Sequence, residues 1–215
     1  MTYLQLINNV LIRLRETQVS TNNETTYSTL IGLFVNDAKR QIEDAFNWNV
    51  LGTTVTLTTV SATYIYSMTG AGQKFQVQDA INTTSNIGLQ NISFVEMNRY
   101  QNLVQTTNGL PQYYAFNGVD ASGDTKVELY PRPDGVYSIP FSLTVPQATL
   151  AADGTSVLVP DFIVAQNAYA QALVERGEDG GLSSSEAYQL YRRMLSDQIA
   201  LEGTSYPENK EFVAI

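Results

Sequence analysis

Histidine and cysteine are both absent from this 215-residue chain. Without them there is no Ser-His-Asp triad, no Cys-His dyad, no common zinc site, no disulfide and no thiol redox chemistry. Charge is scarce as well. Asp, Glu, Lys and Arg make up 15% of the residues, against roughly 25% in an average soluble protein. What charge there is leans acidic, 21 Asp plus Glu against 12 Lys plus Arg, a net −9, so nothing pulls the chain toward phosphate backbones or anionic lipid. Long apolar runs are missing too. No stretch approaches the roughly 20 residues of a spanning helix, and Met1-Thr2-Tyr3-Leu4-Gln5-Leu6-Ile7 has no basic leader. Together these absences point to a mechanical or architectural role, in a cytoplasm or in an assembly built there, with no membrane partner.

What is present is a normal apolar share, 43%, in a chain long enough to bury a proper core. Thr2 and Gln5 have capping-box spacing, and Tyr3, Leu6, Ile7, Val10, Leu11 and Leu14 form one stripe on a four-turn helix. Gln18 to Asn23 reads as a polar loop. A second helix is expected from Thr26 to Phe46, with Tyr27, Leu30, Ile31, Phe34, Ala38, Ile42 and Ala45 inward and Asn36, Asp37, Lys39, Arg40 and Glu43 toward water. Near residue 50 the period changes. Thr53 to Val60 is nearly all Thr and Val, which suits a strand, and Tyr64 to Met68 reads as its return strand.

Further strands are expected at 75–81, 88–94, 112–116 and 126–130, with a short helix over Phe94, Met97, Tyr100, Leu103 and Val104. Pro131-Arg132-Pro133-Asp134-Gly135 is a turn. Tyr137, Ile139, Phe141, Leu143 and Val145 alternate with polar residues, and Pro140 predicts an edge or a bulge for that strand. Helices resume after Pro160: a stripe of Phe162, Ala165, Ala168, Tyr169, Ala172 and Leu173, a break at Gly177 to Gly181, then a helix capped by Ser183 to Ser185 with Glu186. Its stripe is Ala187, Leu190, Tyr191, Met194, Leu195 and Ile199. The expected fold is therefore α+β. Residues 1–49 and 160–204 form a four-helix bundle from both chain ends, 50–159 a β-rich insertion, and 205–215 a C-terminal arm.

Paired carboxylates are the one catalytic option left, from Asp79, Glu96, Asp120, Asp124, Glu128 and Asp134. A glycoside-cleaving pair needs a cleft that holds two of them together, and no motif positions such a pair, so no catalytic residue is assigned. Asp120-Ala121-Ser122-Gly123-Asp124 has oxygen donors two apart but lacks the closing Glu of a calcium loop; it reads as a hairpin turn. Gly70-Ala71-Gly72 lacks the Lys-Ser/Thr of a phosphate loop. No cofactor or metal is implied. The tyrosines of the β region sit among 4 basic and 7 acidic residues, which opposes base-stacking on nucleic acid and favours core or interface tyrosines. The chain end, Pro207 to Ile215, carries an apolar cluster after a polar spacer. Tyr206, Phe212, Val213 and Ile215 either fold back on their own domain or form an arm that docks on another subunit.

The order of segments resembles the head-to-tail adaptor (tail tubular protein A-like, or head completion) proteins of short-tailed bacteriophages. The residues that carry the resemblance are Phe46-Asn47-Trp48-Asn49 at the end of a helix pair, then the Thr/Val strand. Gly109-Leu110-Pro111-Gln112-Tyr113-Tyr114 and Val127-Glu128-Leu129-Tyr130-Pro131-Arg132-Pro133-Asp134 follow, and Leu158-Val159-Pro160-Asp161 opens the second helix pair. The resemblance runs to about Leu201. It implies a structural virion protein, not an enzyme: a ring, of 12 copies, between the portal protein and a tail nozzle or tail tube protein. The helices would face the portal, the C-terminal arm would touch it, and DNA would pass through the lumen without specific binding. The alternatives are another virion connector, or a wall-binding or wall-hydrolysing virion module.

Overall fold

The computed structural model describes residues 1–103, 108–177 and 181–205. In chain order the elements are α1 (Tyr3–Arg13), α2 (Thr26–Ala45), a 3-10 turn (Asn49–Leu51), β1 (Gly52–Thr58), β2 (Ile65–Ser67), β3 (Gln76–Asn82), β4 (Ile87–Gly88), β5 (Gln90–Asn91) and α3 (Phe94–Asn102). Then come β6 (Asn108–Gly109), β7 (Tyr113–Val119), β8 (Thr125–Tyr130), β9 (Arg132–Pro133), β10 (Ser138–Thr144), α4 (Asp161–Arg176) and α5 (Leu182–Gly203). The fold is mixed α+β. It divides into a helical unit, Met1–Leu51 with Gln147–Ile215, and a β-rich unit, Gly52–Pro146.

In the helical unit α1 and α2 begin at capping boxes. Thr2 Oγ1 accepts from Gln5 N at 3.3 Å and Gln5 Oε1 from Thr2 N at 2.9 Å, so two amides with no intrahelical partner are satisfied at the start of α1. Thr25 and Ser28 form the same reciprocal pair before α2. At α5 the expected serine cap is absent. The helix starts a turn earlier, at Leu182, from Gly181 at φ +94°, and Ser184 Oγ donates back to the Gly181 carbonyl. Glycine meets that backbone geometry without the Cβ clash other residues incur. Residues 178–180 of the expected break, and Val104 of the short helix, lie outside the described residues.

One core joins the helices of both chain ends. It contains Leu6, Ile7, Val10 and Leu11 of α1, Ile31, Val35, Ala38 and Ile42 of α2, Ile163, Val164, Ala165, Ala168 and Ala172 of α4, and Tyr191 of α5. The helix α4 packs on α1, α2 and α5, and it is buried well beyond the expected stripe because neighbours cover more than one of its faces. Phe162 and Leu190, both expected inward, are exposed. Trp48, 1% exposed, donates from Nε1 to the Ile42 carbonyl at 2.7 Å and so closes the end of α2.

Asn36, Lys39 and Glu43, expected on the wet face of α2, are buried. The coil that leads from the β-rich unit to α4 covers them, and periodicity within α2 carries no trace of that segment. This coil is held by side chains acting in place of a neighbouring strand. Lys39 Nζ donates to the Gln147 carbonyl at 2.6 Å while Glu43 Oε1 accepts from Gln147 N at 3.1 Å. Asn36 does the same for Leu150, at 3.0 and 2.8 Å, and in the loop between α1 and α2 Asn8 does so for Val19, at 2.9 Å both ways. Each grip satisfies an N–H and a C=O of one residue outside helix and sheet, fully buried at Leu150 and part-buried at Gln147 and Val19.

The β-rich unit holds one sheet in the order β1-β10-β3-β4 and another in the order β2-β8-β7-β5. Inward residues of both, with Ile139, Phe141 and Leu143 of β10 and Val127 and Leu129 of β8, make a second core. One expectation changes here. The segment after β1 does not return along it: β2 pairs with β8, and β1 pairs with β10 from Gly52↔Thr144 to Thr58↔Ser138. The strand β10 is central, and of the edge or bulge that Pro140 predicts it is the bulge that is present, at the register shift between Ser142 and Leu143. Pro140 is tolerated because the ladder to β3 begins only at Phe141.

Candidate functional site

The acids of the β-rich unit are dispersed, and their oxygens hold protein groups. Asp79 Oδ1 accepts from Ala80 N at 2.8 Å, Glu96 from the Tyr100 hydroxyl at 3.4 Å, and Asp134 from the Tyr137 hydroxyl at 2.5 Å. Glu128, buried on β8, accepts from Asn117 Nδ2 at 2.5 Å. These contacts raise the Tyr100 and Tyr137 hydroxyls above their ordinary pKa, because a nearby carboxylate disfavours the phenolate. Among the described residues there is no group of three acids placed to hold a metal ion.

Asp120 and Asp124 build the β7–β8 hairpin turn. Asp120 Oδ1 accepts from Ser122 N at 2.8 Å and Asp124 N at 3.0 Å, and Asp124 accepts from Gly70 N and Gly72 N at 3.2 and 3.0 Å. The oxygens that a cation would need are occupied by amides. The Ser67 hydroxyl, followed by the Asp124 amide, lowers the Asp120 pKa below the usual carboxylate value.

Three tyrosines of the β-rich unit gather in one place. Tyr100 of α3 stacks on Tyr130 at 5.0 Å and leans on Tyr113 at 6.0 Å. Beside them Arg132 lies 4.4 Å over the Tyr64 ring and donates to Gln101 Oε1 at 2.8 Å. All three stacked rings are half-buried, an arrangement that gives a stiff polar-rimmed surface. At another face, a shallow depression of about 420 Å³ is lined by Gln73, Phe75, Gln76, Asn91, Tyr114 and Phe116 among others. Its floor is aromatic, its rim is amide, and no carboxylate lines it.

Tyr206, Phe212, Val213 and Ile215 of the expected arm lie outside the described residues. Sequence reading missed the strand edges. The strand β1 is a sheet edge, and among the described residues no strand pairs with its outer side. The Thr/Val run marks a strand; its freedom from a second neighbour depends on the pairing of distant segments.

The structure thus defines an α+β protein of two units, with acids engaged by its own backbone and side chains, and with stacked tyrosines and open strand edges on its surface. Residues 1–209 match the family described as SU10 adaptor protein. The chain belongs to that family and is a phage adaptor protein. No curated protein matches it in sequence. Among the described residues no helix is long and apolar enough to cross a membrane.

Proposed function

We propose that this protein is the head-to-tail adaptor of a tailed bacteriophage, forming a ring of 12 copies between the portal protein and a tail nozzle or tail tube protein. The observation that carries this reading is the family match over residues 1–209, joined to the segment order that resembles short-tailed phage adaptors. The role is structural and not enzymatic. Its place is the head–tail junction of the virion, after synthesis in the host cytoplasm. A net charge of −9 suits a lumen through which DNA slides without being held. The helices of the two chain ends act as one four-helix bundle toward the portal, and the β-rich unit meets the tail.

In this reading the free subunit is monomeric or weakly associated, and the portal templates the ring. Residues 205–215 form the arm that docks on the portal, through Tyr206, Phe212, Val213 and Ile215. Burying each large apolar side chain stabilises by roughly 1.5–3 kcal/mol, whereas ordering the backbone costs about 1–2 kcal/mol per residue. The arm therefore needs backbone pairing or a partner's pocket, and repetition around a ring makes weak docking strong. Deleting Pro207 to Ile215 tests this. The truncated subunit is expected to melt at an unchanged midpoint and to lose stable attachment to portal-bearing heads. Normal attachment, or unfolding, would refute the arm.

A further inference from the structure

Among the described residues, the first sheet of the β-rich unit has an unpaired strand edge at both sides. At one side lies β1, seven residues paired with β10 in an unbroken register. It contains no charge, no proline and no bulge, the devices by which edge strands are normally blunted. At the other side, β4 covers only Ile81 and Asn82 of β3, and the Leu89 amide takes the Ala80 carbonyl. There the chain leaves for β5, which belongs to the second sheet. Among the described residues no strand pairs with the outer edge of β3 from Gln76 to Asp79; Gln78 is the bulged residue there, since β10 pairs Ser142 with Asp79 and Leu143 with Val77, and Gln76 and Val77 help to line the depression.

The two edges run in one direction, β1 in regular register and β3 bulged at Gln78. Because β1 is antiparallel to β10 and β10 is antiparallel to β3, β1 and β3 run in the same direction at opposite sides of one sheet. Adding β1 of one copy to β3 of the next leaves every copy in the same orientation, so the step can repeat head to tail, as a cyclic ring requires. A β1–β1 pairing would be isologous and would stop at a dimer. The only charge on the two edges is Asp79, so nothing repels the approach.

We propose that the β1 edge of one subunit pairs in parallel with the β3 edge, Gln76 to Asp79, of a second copy of this chain, continuing the sheet from subunit to subunit. The inference rests on the ring reading above and names its subunit contact. Alternate side chains of the added strand would meet the aromatic floor beside β3, while the main-chain bonds supply the pairing.

The absence of native cysteine makes a clean test. Thr56 and Gln78 are exposed and occupy the same outer face of the sheet, since Thr56 pairs with Pro140 and Gln78 Nε2 donates to Thr144 Oγ1. The double variant Thr56→Cys/Gln78→Cys, attached to portal-bearing heads and treated with a short bis-maleimide, is expected to give a ladder of covalent multimers under denaturing conditions. Neither single variant should give it. Rings that form without a ladder overturn the pairing and leave the ring reading standing, as does a dimer from Thr56→Cys alone. If the native chain forms no ring on heads, the ring reading fails and this inference falls with it. Should the cysteine variant fail to attach, Thr56→Glu decides. It sets a carboxylate near the neighbouring copy's Asp79, is expected to weaken ring attachment at least about tenfold without changing the free subunit's melting, and should be rescued by adding Asp79→Lys. Unchanged attachment of Thr56→Glu overturns the proposal.

Discussion

Lys39 and Glu43 are 3% and 7% exposed and 3.1 Å apart, and both grip the backbone of Gln147. Removing one member of such a pair leaves the other charge buried and unpaired, which costs about 3–5 kcal/mol. Lys39→Met is therefore expected to lower unfolding stability by that amount in a denaturant titration, and Lys39→Met/Glu43→Leu to recover part of it. Equal loss in single and double variants would mean that the backbone grip, not the charge pair, is what matters. Gly32 shows the opposite constraint: a Cβ there would collide with the Tyr3 hydroxyl. Gly32→Ala should cost about 1–3 kcal/mol by overpacking, and Gly32→Ala/Tyr3→Phe should regain part of it. Asp120 gives the pH dependence. Its pKa is lowered in the folded state, first by the Ser67 hydroxyl. The order it lends to the β7–β8 turn is present above the ordinary carboxylate pKa and is lost as pH falls through the lowered folded value. Amide signals of Ser122 and Asp124 should shift together in that acid range, and Asp120→Asn should abolish the shift.

At the scale of elements, the helices were legible because their signals are local. The Thr2/Gln5 capping box and the Tyr3-Leu6-Ile7-Val10-Leu11 stripe each lie within a few turns, and the structure places α1 on them. The change of period near residue 50 likewise marks where β1 begins, at Gly52. What was not legible depends on partners distant in sequence. Asn36, Lys39 and Glu43 look solvated until the coil after the β-rich unit covers them, and the central position of β10 follows from β1 and β3 arriving on its two sides. The candidate site divides the same way. The Asp120 turn was readable from its Asp, Ser and Gly residues, whereas the Tyr100, Tyr113 and Tyr130 stack joins α3 to two strands that sequence spacing does not connect. Because Tyr100 packs on both rings, Tyr100→Ala is expected to destabilise the β-rich unit by about 1 kcal/mol while leaving α1 and α2 protected from hydrogen exchange. Loss of protection in α1 would contradict the division into two units.

At the scale of the whole molecule, low charge and abundant uncharged polar side chains suit broad, adaptable contacts among many copies. Membership of an adaptor family supplies the setting in which such contacts matter. Electron microscopy of the purified chain, imaged alone and after mixing with portal-bearing heads, decides whether subunits make a ring templated by the portal. No ring is expected in the free sample, and a closed ring of 12 subunits is expected at the portal vertex of the mixed one. A stable ring in the free sample, or heads whose portal vertices stay bare at saturating protein, would contradict the templated ring.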